Sequence, residues 1–212
     1  MKYEMKKRCL WLGNEELYIR YHDEEWGVPV HNDRDLFESL CLEGQQAGLS
    51  WITILKKRNN YRRAFYNFNI KKVSNMTDEE IFILLKDRGL IRNKLKLFSI
   101  RNNAKAFLKI QKEFKSFDNY IWSFTDRKSI DTKIKSTFNN NCKLLLSNNI
   151  SSELKKRGFK FVGPTICYAY LQAVGIINDH EKDCFRYKEV KSLYNFVLLK
   201  GINSEKNQIK DN

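Results

Sequence analysis

The sequence predicts an all-α protein. Apolar residues recur at helical spacing along most of the chain, no alternating period-2 run of useful length appears, and only 2 prolines and 9 glycines punctuate 212 residues. Asp33 opens an amphipathic stretch with Leu36, Leu40 and Ala47 on one face, and Ser50 is placed to cap a helix through Trp51, Ile54, Leu55 and Tyr61. Thr77-Asp78-Glu79-Glu80 has capping-box form and leads into 81–86, with Gly89 suited to that helix's C-terminal cap. The stretch 93–114 carries Leu97, Ile100, Ala104, Phe107 and Leu108 at helical spacing. Segments 117–124, 151–157 and 164–174 follow, the last with Pro164 in its first turn. Residues 129–149, rich in Lys, Ser and Asn, read as a variable loop region. Residues 1–185 read as one two-lobed domain, and 186–212 as a basic, polar extension with a short helix about 197–199.

Composition narrows the function. Hydrophobic residues at 42 % and aromatics at 13 % suffice for a packed core, and a net charge of +14 calls for a polyanionic partner. The longest apolar stretch, about 167–177, is interrupted by Gln172 and is too short to span a bilayer. Lys6-Lys7-Arg8 precedes only Leu10–Leu12, so no signal-peptide core is expected and the protein is placed in the cytoplasm, at the nucleoid in a bacterium.

The 5 cysteines, an odd number, do not read as a disulfide framework. Cys41, Cys142 and Cys167 have apolar or Asn-rich neighbours and read as buried or idle thiols. Cys9 and Cys184 differ, because each has a histidine at ligand-like spacing: Cys-x12-His to His22, and His180-x3-Cys to Cys184. On a helix, His180 and Cys184 project from one face, and the two pairs together would make a closed, tetrahedral Cys2His2 zinc site. A capping or core histidine is the competing reading of the same spacing.

Glu43 is the least expected residue. It lies three positions after Leu40 and seven after Leu36, on the apolar face of its helix. A buried carboxylate is costly unless something pairs with it. Either an internal arginine or a neighbouring helix end satisfies it, or it forms the floor of a pocket for a cationic ligand. Trp11, Tyr18, Tyr21, Trp26 and Trp51 lie near it in sequence, and with a carboxylate they describe a site that stacks a flat, electron-poor ring.

A second constellation is Lys155-Lys156-Arg157-Gly158-Phe159-Lys160-Phe161-Val162-Gly163-Pro164-Thr165, read as helix, glycine-bounded hairpin, helix. A helix-hairpin-helix of this form presents backbone N–H groups to a phosphate, while Lys155, Lys156, Arg157 and Lys160 neutralise the DNA backbone. An ordinary αα-corner with a solvated basic face is the plain alternative. Residues 88–94 form a weaker second candidate.

These segments resemble the 3-methyladenine DNA glycosylase I family. The resemblance rests on residues 41–53 (CLEGQQAGLSWIT), 21–29 (YHDEEWGVP), 155–163 running into Thr165-Ile166-Cys167-Tyr168, and Asn178-Asp179-His180, and it covers about 8–184. It implies a helix-hairpin-helix glycosylase fold in which a structural Zn2+, held by Cys9, His22, His180 and Cys184, joins the N- and C-terminal segments. It also implies that Glu43 is the catalytic group and that Tyr21 and Trp51 line the base pocket, with Tyr18, Trp11 and Trp26 as supporting walls. The activity implied is excision of 3-methyladenine by a monomer acting on double-stranded DNA that contains alkylated adenine. Bifunctional members of the wider superfamily carry a lysine just after the hairpin's second glycine, and here Thr165 follows Gly163, which implies hydrolysis without strand cutting. Asp179 lies near the superfamily's aspartate and ranks below Glu43. Gln46 or Leu49 is expected to fill the gap left by the flipped base. The rival readings are a noncatalytic, zinc-stabilised DNA-binding protein that senses alkylated bases, and a zinc hydrolase, which would need an open coordination position.

Overall fold

A computed structural model describes residues 6–132 and 140–194, with side chains described from 144 in the second stretch. The elements are α1 (Glu16–Glu24), α2 (Asp33–Gln46), α3 (Trp51–Ala64), α4 (Ile70–Ser74), α5 (Asp78–Leu84), α6 (Lys94–Phe114), α7 (Phe117–Ser123), α8 (Asn140–Lys156), α9 (Pro164–Ala173) and α10 (185–194). Two short strands, β1 (Ile130–Asp131) and β2 (Ile177–Asn178), pair in parallel with Ile130 opposite Ile177. The all-α expectation holds, and no described helix is long and apolar enough to cross a membrane.

Helix α2 is the central element, packed by α3, α6, α7 and α9. Leu36, Phe37 and Leu40 are fully buried, and Phe37 meets Phe107 of α6 edge-on with centroids 5.3 Å apart. Asn32 caps its N-terminus, accepting from the backbone N–H groups of Arg34 and Asp35. Asp33 therefore turns elsewhere. Its carboxylate accepts from the N–H groups of Phe117 and Asp118, both at 2.9 Å, and so caps the start of α7. At the other end, the Lys96 ammonium donates to the carbonyls of Gln45 at 2.8 Å and Ala47 at 2.6 Å. A buried cation there is stabilised by the negative end of the α2 dipole and by two carbonyls that otherwise lack partners.

Several local expectations are corrected. The loop read over 129–149 contains β1 and the first turns of α8, which starts at Asn140. Its weak periodicity hid a helix with a small buried face, here Ser147, Ile150, Ser151 and Leu154. Gly89 does not cap α5, whose C-cap is Leu85. Its backbone instead lies against α3, where an added Cβ would meet the Asn60 side chain at 2.6 Å. Ser50 precedes α3 but makes no side-chain cap bond, and its hydroxyl pairs with Thr53 at 2.7 Å. The helix expected about 197–199 and the Cys142 side chain fall outside the described residues.

Replacing Lys96 by Met should leave the last α2 carbonyls without a partner in a buried setting. Urea unfolding should show a loss of about 2–3 kcal/mol.

Candidate base pocket and metal centre

The burial of α2 carries Glu43 inward with it. The residue is only 4 % exposed, and no hydrogen bond or ion pair reaches its carboxyl from any described residue. Burial pushes its pKa up to about 8. The carboxyl faces a cavity of about 340 Å3 lined by Trp11, Tyr18, Tyr21, Trp26, Gln46 and Trp51, with Ala169, Gln172, Asp179 and Glu181 completing it. Every aromatic residue proposed from sequence therefore meets Glu43 at one site. Tyr21 and Trp51 are paired at 5.4 Å between centroids, and Trp11 lies 5.3 Å from Tyr18 and 4.9 Å from Trp26. The Tyr21 phenol is raised well above its ordinary range by burial first and by the Glu43 charge second. The Trp51 indole Nε1 is buried with no partner, a second polar group left unpaired beside the carboxyl.

Asp179 shares this cavity but is occupied. Tyr168 and Gln172 donate to one of its oxygens at 2.7 and 2.8 Å, and the Thr132 hydroxyl donates to the other at 2.5 Å. A second cavity of about 230 Å3 shares Tyr21, Glu43 and Trp51 with the first as lining residues.

Behind the pocket wall, Cys9, His22, His180 and Cys184 are all buried and bring one ligand atom each within 4.8 Å of one another. Cys9 Sγ and Cys184 Sγ lie 3.6 Å from His180 Nδ1, and Cys184 Sγ lies 3.5 Å from His22 Nε2. A tetrahedral zinc with its usual bonds to sulfur and nitrogen would set those edges at about 3.5 Å. The outer nitrogens are already fixed, His22 Nδ1 on Asp23 Oδ1 at 2.8 Å and His180 Nε2 on the Trp26 carbonyl at 3.0 Å. Arg8 holds Asp23 in turn through contacts of 2.7–3.0 Å. This is the outer shell that orients metal-bound imidazoles. Burial lowers His180 to about 4 and pushes the Cys9 thiol up to about 12, so the imidazole is neutral and only a cation would hold the sulfur as thiolate. The donor set fits a closed four-ligand metal site.

The segment from Arg157 to Gly163 connects α8 to α9. Gly158 and Phe161 take positive φ of 92° and 55°, giving the tight reversal that the sequence pattern predicted. Asn103 of α6 grips the connection from both sides, accepting from Lys160 N–H at 2.8 Å and donating to its carbonyl at 3.1 Å. Gly44, next to Glu43, lets the hairpin approach, since an added Cβ would lie 3.2 Å from Phe161 Cβ. Lys155, Lys156 and Lys160 are exposed, and Gly163 is the N-cap of α9. Arg157 differs from the expectation of a free cation. It chelates Glu113 at 2.6 and 3.0 Å and lies over the rings of Phe114 and Tyr120. The 88–94 segment has most of its amides committed, with Gly89 N–H on Asp87 and Ile91 N–H on the Tyr61 hydroxyl.

A family model described as methyladenine glycosylase matches residues 11–187. The chain belongs to that family. It is 47 % identical over 180 residues to a DNA-3-methyladenine glycosylase of Haemophilus influenzae, covering 85 % of this chain and 97 % of the relative. The DNA-3-methyladenine glycosylase 1 of Escherichia coli K12 is 46 % identical over 181 residues, with the same coverages of 85 % and 97 %. The solved structure of Staphylococcus aureus 3-methyladenine DNA glycosylase I, described in terms of 3-methyladenine recognition, matches with a TM-score of 0.76 at 36 % identity, covering 84 % of this chain and 95 % of that one.

In this family member the pocket and the Cys/His cluster interleave along the chain. Tyr21 lines the cavity and His22 joins the cluster, while Asp179 and Glu181 line the cavity on either side of His180. Sequence reasoning missed Asn103, Lys96 and Glu181, whose partners lie far away in the chain, and Gln172, which donates to Asp179 seven residues on.

Metal analysis of protein purified without chelator should find about one zinc per chain. Chelation, or Cys184→Ser, should lower the thermal midpoint by on the order of 10 °C.

Proposed function

We propose that the chain hydrolyses the N-glycosidic bond of 3-methyladenine in double-stranded DNA and leaves an abasic site, with residues 1–185 as the catalytic domain. The observation that carries this reading is an unpaired carboxyl, 4 % exposed, beside an aromatic cavity. Methylation at N3 makes adenine cationic and its glycosidic bond labile. The enzyme then needs only to draw the base from the stack, grip it and stabilise an oxocarbenium-like sugar.

Glu43 accepts hydrogen bonds from the exocyclic amine edge, a charge-assisted contact worth roughly 1.5–3 kcal/mol. Trp51 and Tyr21 stack on the ring, and cation–π attraction adds on the order of 1–2 kcal/mol when water is excluded. Neutral adenine gains neither charge term, which supports selection of the damaged base. No lysine is among the described residues lining the cavity, in keeping with Thr165 after the hairpin and with water as the nucleophile. Cys9, His22, His180 and Cys184 hold a structural zinc that supplies no chemistry to the base. The hairpin amides at Gly163 and the start of α9 receive a phosphate, with Lys155, Lys156 and Lys160 neutralising the backbone. Gln46 or Leu49 fills the space of the extruded base. Arg157 shapes the hairpin through Glu113.

Release of free base from methylated duplex DNA separates this enzyme from a binding protein that only senses alkylation. Glu43→Gln should lower single-turnover excision about 10- to 100-fold while leaving nonspecific DNA binding near wild type. The substrate is a fixed cation, so its charge does not titrate. Wild-type kcat/KM should therefore rise with pH as Glu43 ionises, level off above about 8, and lose this dependence in the variant.

Lys156→Ala and Lys160→Ala should each weaken duplex binding and reduce the slope of log affinity against log salt by about 1. Arg157→Ala should instead lower stability and leave that slope in place.

A further inference from the structure

Leu10 is the most exposed large apolar side chain among the described residues, at 85 %. Isolated surface leucines are ordinary, but Leu10 is singular in its setting. It stands between Cys9, whose sulfur belongs to the metal cluster, and Trp11, which lines the base cavity and is itself 40 % exposed. Its N–H donates to Glu181 Oε1 at 2.9 Å, and Glu181 lines the same cavity. The turn closes through Leu12 N–H on the Cys9 carbonyl at 3.2 Å, and Glu181 N–H reaches Cys9 Sγ at 3.4 Å. An apolar side chain is thus held on a tethered backbone at the cavity rim. The α2–α3 turn supplies another exposed leucine, Leu49 at 39 %, close in sequence to the lining residue Gln46.

We infer that Leu10 is a DNA-contacting wedge, packing against the nucleotides beside the position vacated by the extruded base and working together with the Gln46–Leu49 turn. The inference rests on the base-extrusion reading above and adds a residue to it. DNA that delivers a base into this cavity must cover its rim, and Leu10 then leaves water for sugar and base faces exposed by unstacking. A backbone already fixed by Glu181 and Cys9 loses little freedom on insertion, so most of that gain is kept. Single-stranded DNA has no stack to hold open and gives a rim wedge little to do.

The test compares excision of 3-methyladenine from methylated duplex DNA with excision from the same strand alone, under single-turnover conditions. In Leu10→Ser the duplex-to-single-strand rate ratio should fall about tenfold, equivalent to about 1.4 kcal/mol. Leu10→Met should restore the ratio. Ile83→Ser, at a residue 67 % exposed on α5, should keep it at the wild-type value. An unchanged ratio in Leu10→Ser overturns the inference, and so does an equal loss on both substrates, which marks a folding or pocket defect. If the wild type releases no free base from either DNA, the base-excision reading fails first and the wedge falls with it.

Discussion

One unpaired carboxyl, buried on the central helix, sets the terms for the rest of the molecule. Holding Glu43 away from water without a partner costs several kcal/mol if it is ionised, and burial answers by keeping the proton on until pH about 8. The rotation of α2 must then be fixed by other contacts, because a one-residue shift would turn the carboxyl by about 100°. Asn32 fixes the first turn and Lys96 the last. Between them the buried Gln45 side chain donates to the Lys96 carbonyl at 2.9 Å and accepts from the Tyr61 hydroxyl at 3.1 Å. These contacts surround Glu43 without touching it, so the helix is rigid while its functional group stays unsatisfied.

The Cys/His cluster packs against the wall formed by Trp11 and Trp26. Trp26 meets His180 edge-on at 4.6 Å and Trp11 meets His22 at 5.4 Å, so the imidazoles and the pocket indoles form one packed group. Gly27, at φ +83°, is what lets this happen, since an added Cβ would lie 3.0 Å from His180 Nε2. The ligands come from the two ends of the described chain, and α10 reinforces that closure. Val190 is fully buried, and the Tyr194 hydroxyl donates to the Gly27 carbonyl at 3.0 Å. The Cys/His cluster therefore bears directly on the positions of Trp11 and Trp26.

Much of this was legible in the sequence, and the reason differs from case to case. Helical periodicity placed Glu43 on an apolar face, a local signal, whereas Cys–His spacing only raised a four-residue cluster that the resemblance completed and the structure brings together. Nearness in sequence to Glu43 gathered the aromatics, which the structure brings to one cavity with it. Contacts made across the fold left no local mark. Nothing near Arg157 announces Glu113, and nothing near Asn103 announces the hairpin that it grips. Helix α1 (Glu16–Glu24) buries only Tyr21 and His22 fully, too narrow a face to register as periodic. Gly89 misled because a glycine after a helix usually marks a cap, whereas here it makes room for Asn60.

Glu43 stands apart from the other acidic groups around the two cavities in having no partner among the described residues. Glu25 is held by Arg58 at 2.5 Å, Glu38 by Arg62 at 2.7 Å, and Glu24 by Arg20 at 3.0 Å. Asp35 pairs with Arg34, Asp179 accepts from Tyr168, Gln172 and Thr132, and Glu181 accepts from the Leu10 backbone. Glu24, Glu25, Asp35 and Glu38 thus have a guanidinium counter-charge, and Asp179 and Glu181 have neutral hydrogen-bond donors. Glu43 has no such match. On the proposed reading, a positively charged purine in the cavity beside Tyr21 and Trp51 supplies the missing partner and favours the ionised carboxyl. On the same reading, a neutral base brings no charge to offset the cost of ionising that group, so burial of Glu43 would itself separate damaged from undamaged adenine.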